Sequence, residues 1–227
     1  MATVRVILID DHAVVREGYR RLLERTSEIQ VVAEASSGED AYRLFCDLQP
    51  EVVVIDVNLT GMSGIEATRR IIAREPLARV LVFSMHEGAL FGSRALQAGA
   101  RGYVTKASAP EVLVEAVRAV AAGRLYISHD VAQQLAFQSL PGNDAPLGEL
   151  SPREFEVFRL LAEGKSINDI ARVLSLSQKT IANYQSIIKQ KLEADTSAQM
   201  VWIAMRTGVL GGSSEPVAPG EIPEPDR

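Results

Sequence analysis

A chain of 227 residues is longer than one small domain needs and fits one large domain or two modest ones. With 47% hydrophobic and 23% charged residues it has enough apolar surface to offset chain entropy, which excludes wholesale disorder. A net charge of −5 excludes a protein that coats nucleic acid by basicity alone. The apolar runs are too short for a membrane span, and MATVRVILIDD lacks the pattern of a secretory leader. The single Cys46 provides neither a disulfide nor a zinc framework, so a cytoplasmic protein without a membrane partner is expected.

Along the first 125 residues two periods alternate. Apolar β-rich runs at 4–9, 30–35, 52–55, 80–83 and 102–105 are separated by helical spacings at 14–24, 39–48, 66–75, 90–98 and 111–122. Continuous runs such as VRVILI, VVVI and VLVF suit strands buried on both faces, so five β–α alternations predict a doubly wound parallel sheet. The expected fold is α/β, five-stranded and flavodoxin-like in the order 2-1-3-4-5. Helix starts are expected at the pairs Ser36/Glu39, Ser63/Glu66 and Ser108/Glu111. A further helix is expected at 130–138, followed by a turn-rich linker at 139–149.

From Leu150 only helical patterns remain, opened by Ser151-Pro152-Arg153-Glu154, which combines a cap, a first-turn proline and a capping glutamate. Helices at 166–174 and 178–192, joined by Ser175-Leu176-Ser177, form a helix-turn-helix within an all-α, four-helix module. The expected organisation is therefore residues 1–125, a linker at 126–147 containing a helix, the helical module at 148–210, and a disordered tail at 211–227. The helical module carries a net charge of only +1.

In a doubly wound sheet the site lies beyond the carboxyl ends of the strands, where strand order reverses. Asp10 and Asp11 close the first strand, Asp56 the third, while Ser84 follows the fourth and Lys106 the fifth. If strands one and three are neighbours, three carboxylates converge, with about 4 kcal/mol of repulsion per pair at close range. Such a cluster keeps a proton or recruits a hard divalent cation, most naturally Mg2+. Asp56 is expected to be a nucleophile toward phosphorus. Lys106 and the metal would neutralise the transferring group, and Ser84 would donate a hydrogen bond to it.

The stretches IDDH at Ile9, VIDVNLTGMSGIEATRRI at Val54, VFSMHE at Val82 and ALQAGARGYVTKASAPEVLVEAVRAVAAG at Ala95 resemble the receiver domain of two-component response regulators. The resemblance implies that Asp10, Asp11 and Asp56 hold Mg2+, and that Asp56 accepts phosphate from a sensor histidine kinase. It further implies that Ser84 and Lys106 read the phosphoryl group and that Tyr103 is the switch aromatic. Thr60 and Ala107 stand where the family usually has proline. A haloacid-dehalogenase-type phosphatase is disfavoured because position 58 is Asn58, which cannot transfer a proton. A dinucleotide site is disfavoured because no G-x-G-x-x-G follows the first strand.

On the helix at 178–192, Ile181, Tyr184, Ile188 and Leu192 mark the inward face, while Lys179, Ala182, Asn183, Ser186 and Lys189 lie opposite, suited to a major groove. LSPREFEVFRLLAEGKSINDIARVLSLSQKTIANYQSIIKQKL at Leu150 resembles the LuxR-type DNA-binding domain of the NarL/FixJ branch. That resemblance implies contact with double-stranded DNA through Lys179, Thr180, Ala182, Asn183, Ser186 and Lys189, and homodimer pairing through residues 198–207. Positions 182 and 186 often carry Lys or Arg in this branch and here are Ala and Ser. The expected function is a phosphorylation-switched transcription factor, with no enzymatic role beyond its own Mg-dependent phosphorylation and dephosphorylation. Its expected switch sets a state with the receiver packed over residues 178–192 against one with that helix free. The competing expectation is a receiver-controlled protein-interaction module without sequence-specific DNA binding.

Overall fold

In the computed structural model, residues 3–138 and 147–210 are described. The segment 139–146 of the expected linker and the expected disordered tail at 211–227 lie outside the described residues. The first part alternates β1 (Val4–Ile9), α1 (Ala13–Glu24), β2 (Ile29–Ala35), α2 (Gly38–Leu48), β3 (Val52–Ile55) and α3 (Gly64–Arg74). It continues with β4 (Val80–Ser84), α4 (Ala89–Gln97), β5 (Gly102–Thr105), α5 (Pro110–Ala121), β6 (Tyr126–Ile127) and α6 (His129–Gln138). Four helices follow: α7 (Pro152–Ala162), α8 (Ile167–Leu174), α9 (Gln178–Lys191) and α10 (Ser197–Arg206).

All strand pairs are parallel, and the order is β2-β1-β3-β4-β5-β6. The core order is the expected one, but the sheet has six strands rather than five. β6 contributes two residues, with Gly102 opposite Tyr126 and Tyr103 opposite Ile127. Two residues are too few to register a period in the sequence. The new strand leads into α6, which is tied back by a hydrogen bond from Thr105 Oγ1 to Asp130 Oδ2 (3.0 Å). α6 packs on α4 so closely that a Cβ added at Gly92 would lie 2.8 Å from Val131 Cγ1.

Side chains of the central strands point alternately to two apolar layers. Val6, Leu8, Val52, Val54, Leu81, Phe83 and Val104 pack with α1 and α5 through Leu23, Leu113 and Val117. Ile7, Ile9, Val53, Ile55, Val80 and Val82 pack with α2, α3 and α4 through Phe45, Ile71 and Phe91. Burying residues on both faces removes strand side chains from water, worth about 1.5–3 kcal/mol for each large one. The second layer continues without a break into the helical module, where Phe155, Phe158, Ile170, Ile181 and Ile188 join it.

Two helix starts differ from expectation by one residue. The cap of α2 is Ser37, which accepts from Asp40 N, rather than Ser36. α5 begins at Pro110 with Ala109 as its cap, because proline is preorganised for the first helical position. Ser108 therefore sits one residue too early, and its hydroxyl meets Thr105 Oγ1 at 2.9 Å instead. Ser63 caps α3 and Ser151 forms a capping box with Glu154.

Candidate functional site

The parallel register sets the pocket. Ile9 lies beside Ile55, so the residues that follow them, Asp10 and Asp56, emerge side by side at the carboxyl edge. Both are buried, at 2% and 3% exposure. Lys106, whose backbone N–H donates to Ser84 O (2.8 Å), reaches back with Nζ 2.6 Å from both Asp10 Oδ2 and Asp56 Oδ2. Burial pushes the Asp56 carboxyl above its usual range, and the Lys106 charge only partly offsets this. Burial also works against the charge on Lys106, but Asp56 and Asp10 outweigh it and hold the ammonium above its ordinary value.

Asp11 and His12 complete the cluster. Possible ligand atoms of Asp10, Asp11, His12 and Asp56 lie within 4.8 Å of one another. Asp11 Oδ1 is buried and accepts no hydrogen bond among the described residues, although His12 Nδ1 stands 2.8 Å away. A buried carboxylate oxygen without a donor, beside two more carboxylates, is a donor set that fits a hard divalent cation. His12, largely exposed, stands at the mouth of this set. Ser84 is fully buried at the end of β4, and the isolated bridge between Ser37 and Thr60 holds the loop after β3.

Tyr103 is fully buried, and its hydroxyl donates to His86 O (2.7 Å). Burial raises its phenol well above the ordinary value. His86 lies in the loop after β4, yet it is 6% exposed. Its ring nitrogen Nε2 lies 3.1 Å from Asn58 Oδ1, and its face stacks on Phe91 at 3.9 Å and 12°. Burial, then Arg159 and Lys106, lowers its pKa to about 4. The sequence signal was weak: a histidine next to exposed Met85 has no spacing that marks it as buried.

In the helical module, Ile181 and Ile188 are fully buried, Leu192 is buried and Tyr184 half-buried, as the spacing predicts. Lys179, Asn183 and Ser186 are exposed, and Thr180, Ala182 and Lys189 are half-buried. Thr180 Oγ1 meets Ser177 Oγ (2.8 Å), Ser186 Oγ donates back to Ala182 O (3.1 Å), and Lys189 Nζ donates to Asp195 O (2.8 Å). Trp202 and Met205 on α10 are 55% and 56% exposed, and the Arg206 guanidinium lies 4.3 Å over the indole.

The first part of the chain meets the helical module mainly at α7, with a further contact at α8. Ser63 Oγ donates to Glu156 Oε2 (2.8 Å), Arg153 pairs with Glu66 (2.7 Å), and Arg70 donates to Leu174 O (3.4 Å). Phe91 meets Phe155 edge-on at 5.9 Å, with the Arg94 guanidinium 4.0 Å over the same ring. Complementary surfaces on α3, α4 and α7 bring about this docking, and helix periodicity carries no information about it.

No helix among the described residues is long and apolar enough to cross a membrane. Residues 6–118 match the response regulator receiver domain, and residues 148–204 match the bacterial regulatory proteins of the luxR family. The chain is 38% identical to the response regulator GacA of Pseudomonas aeruginosa, covering 93% of this chain and 100% of the relative. It is 35% identical to the response regulator UvrY of Escherichia coli K12, covering 93% and 98%. Among solved structures, RcsB of Salmonella enterica serovar Typhimurium, bound to promoter rprA with the phosphomimetic BeF3-, is similar at a TM-score of 0.72. That likeness has 27% identity and covers 88% of this chain and 98% of the other.

Proposed function

Because the chain belongs to the DNA-binding two-component response regulators that join a receiver domain to a luxR-family domain, we propose that Mg2+-dependent phosphorylation of Asp56 by a partner histidine kinase controls its binding to promoter DNA. The observation that carries this reading is the Lys106 bridge across Asp10 and Asp56, beside an Asp11 oxygen that accepts no hydrogen bond among the described residues.

Asp10, Asp11 and Asp56 would hold the Mg2+, which when bound supplies positive charge for the phosphoryl oxygens. An Asp56 oxygen attacks phosphorus, the bond from phosphorus to the kinase imidazole nitrogen breaks, and its electron pair stays on that nitrogen. Lys106 stabilises charge on the transferred group. Ser84 then donates a hydrogen bond to it, and Tyr103 responds as the buried switch aromatic. The protein acts as a regulator and not as an enzyme on a separate substrate; its chemistry is its own Mg2+-dependent phosphorylation and dephosphorylation.

Residues 1–125 form the phosphoacceptor unit, 126–147 the linker, whose first two residues add β6 to the sheet edge, and 148–210 the DNA-binding unit. Lys179, Thr180, Ala182, Asn183, Ser186 and Lys189 meet the duplex, with Lys179 and Lys189 directed to phosphates. Exposed Trp202 and Met205 on α10 support pairing of two copies on a two-fold site. The protein works in the cytoplasm.

Labelling with a small phosphodonor and Mg2+ tests the acceptor: wild type is expected to label and Asp56→Asn to stay unlabelled, and equal labelling overturns the assignment. Duplex binding titrated against salt tests the second half. A steep fall of affinity with log[salt] is expected, whereas negligible duplex affinity at low salt would favour a protein-interaction module.

A further inference from the structure

Phosphoryl chemistry at Asp56 makes no use of His86, yet this one residue touches Asn58, Ser84 and Tyr103 beside the pocket and also Phe91 on the surface that docks the helical module. Its ring faces Asn58 Oδ1 across 3.1 Å, and Asn58 N–H in turn donates to Asp56 Oδ1 (3.3 Å). Its backbone N–H donates to Ser84 Oγ (3.3 Å), and its carbonyl accepts from the Tyr103 hydroxyl (2.7 Å). The other face of the ring stacks on Phe91, which contacts Phe155 of α7. Side chains in direct contact therefore run from the acceptor loop to the helical module.

We infer that His86 is the coupling residue through which the state of the Asp56 pocket sets the contact between the receiver and the DNA-binding module. This rests on Asp56 being the phosphoacceptor. A phosphoryl group draws the Ser84 hydroxyl toward itself and displaces the loop that carries Asn58. His86 is held by both, so its ring turns, its stack on Phe91 breaks, and Phe155 loses its edge-on partner.

The docked contact is poised to yield. Arg94 is 5% exposed, and its Nη2 donates to Leu147 O (2.6 Å) and Leu150 O (3.0 Å). Its Nε and Nη1 have no acceptor among the described residues. A buried guanidinium served by two neutral carbonyls and no carboxylate hydrogen bond is costly to keep from water. Opening hydrates Arg94, so a modest bias from the pocket shifts the balance between docked and free modules.

The test uses the full chain with 4-fluorophenylalanine placed at position 155, read by fluorine NMR before and after phosphorylation with acetyl phosphate and Mg2+. Docked and free rings differ in their aromatic and guanidinium neighbours and give separate resonances, while labelling of Asp56 is measured on the same samples. In wild type, phosphorylation is expected to raise the free-to-docked ratio by about fivefold or more. His86→Phe keeps the stack without the Asn58 contact, and Asn58→Ala removes that contact from the exposed side. Compared with wild type at equal extents of Asp56 labelling, both are expected to lose most of the rise.

If the variants label and open as wild type does, or if labelled wild type shows no change at position 155, the coupling is wrong and the acceptor assignment stands. If wild type does not label, the acceptor assignment falls and the coupling with it. Should His86→Phe fail to fold, Asn58→Ala decides alone.

Discussion

Lys106 Nζ lies 2.6 Å from Asp56 Oδ2, an ammonium held against the carboxylate proposed to form an acyl phosphate. The same nitrogen contacts Asp10, so Lys106 balances two buried charges at once. Lys106→Met removes that balance. Labelling by a small phosphodonor should slow by about a hundredfold, since charge on the transferring group is left unmatched. Apparent Mg2+ affinity should rise, because an ammonium no longer competes for the carboxylates. A labelling rate equal to wild type contradicts this role.

Gly64 bears on the same carboxylate through the backbone. A Cβ at this position would stand 1.8 Å from Asp56 O, an overlap with main chain that no rotamer relieves. Gly64→Ala should lower stability by about 3 kcal/mol and displace Asp56. Thermal unfolding reads the first effect and phosphodonor labelling the second; an unshifted midpoint refutes it.

The Ser63 hydroxyl does two jobs, capping α3 at Glu66 N (3.2 Å) and donating to buried Glu156 of α7 (2.8 Å). Ser63→Asp keeps a capping oxygen but sets a second negative charge against Glu156. The variant should stay folded while its radius of gyration by X-ray scattering increases, as the two parts separate. Ser63→Ala should cost about 2 kcal/mol, from the lost cap and an unmade bond to a buried carboxylate. A Ser63→Asp chain as compact as wild type removes Glu156 from the docking contact.

His86 makes stability depend on pH. Burial, then Arg159 and Lys106, lowers its pKa to about 4 from an ordinary value of 6.5. Between these values the unfolded chain binds the proton and the folded chain does not, so stability falls as pH drops from 6.5 toward 4. The loss should be on the order of 2 kcal/mol and should be absent in His86→Phe. Urea unfolding of both proteins at intervals across this window provides the check, and parallel curves would count against it.

The lysines of α9 differ in availability. Lys179 is exposed at the start of the helix, whereas the Lys189 ammonium already donates to Asp195 O. Lys179→Ala should lower the slope of log affinity against log[salt] by about 0.9, the share of one phosphate contact. Lys189→Ala should change it less. Equal slopes for wild type and Lys179→Ala would take Lys179 away from the phosphates.

The repeated β–α alternation determined the order of the sheet, and with it the convergence of Asp10, Asp56 and Lys106. Register follows from pleat and crossover, which leave a parallel strand end little freedom. Ile181, Tyr184, Ile188 and Leu192 likewise declared the inner face of α9, because burial and helical period are one constraint. Local chemistry alone did not place β6 or the caps at Ser37 and Ala109, since two residues carry no period and a proline outranks a neighbouring serine. Only packing decided that His86 lies buried between Asn58 and Phe91 and that Arg94 is enclosed by α7. These outcomes depend on which surfaces meet across long stretches of chain, and a one-dimensional pattern of polar and apolar residues does not encode that choice.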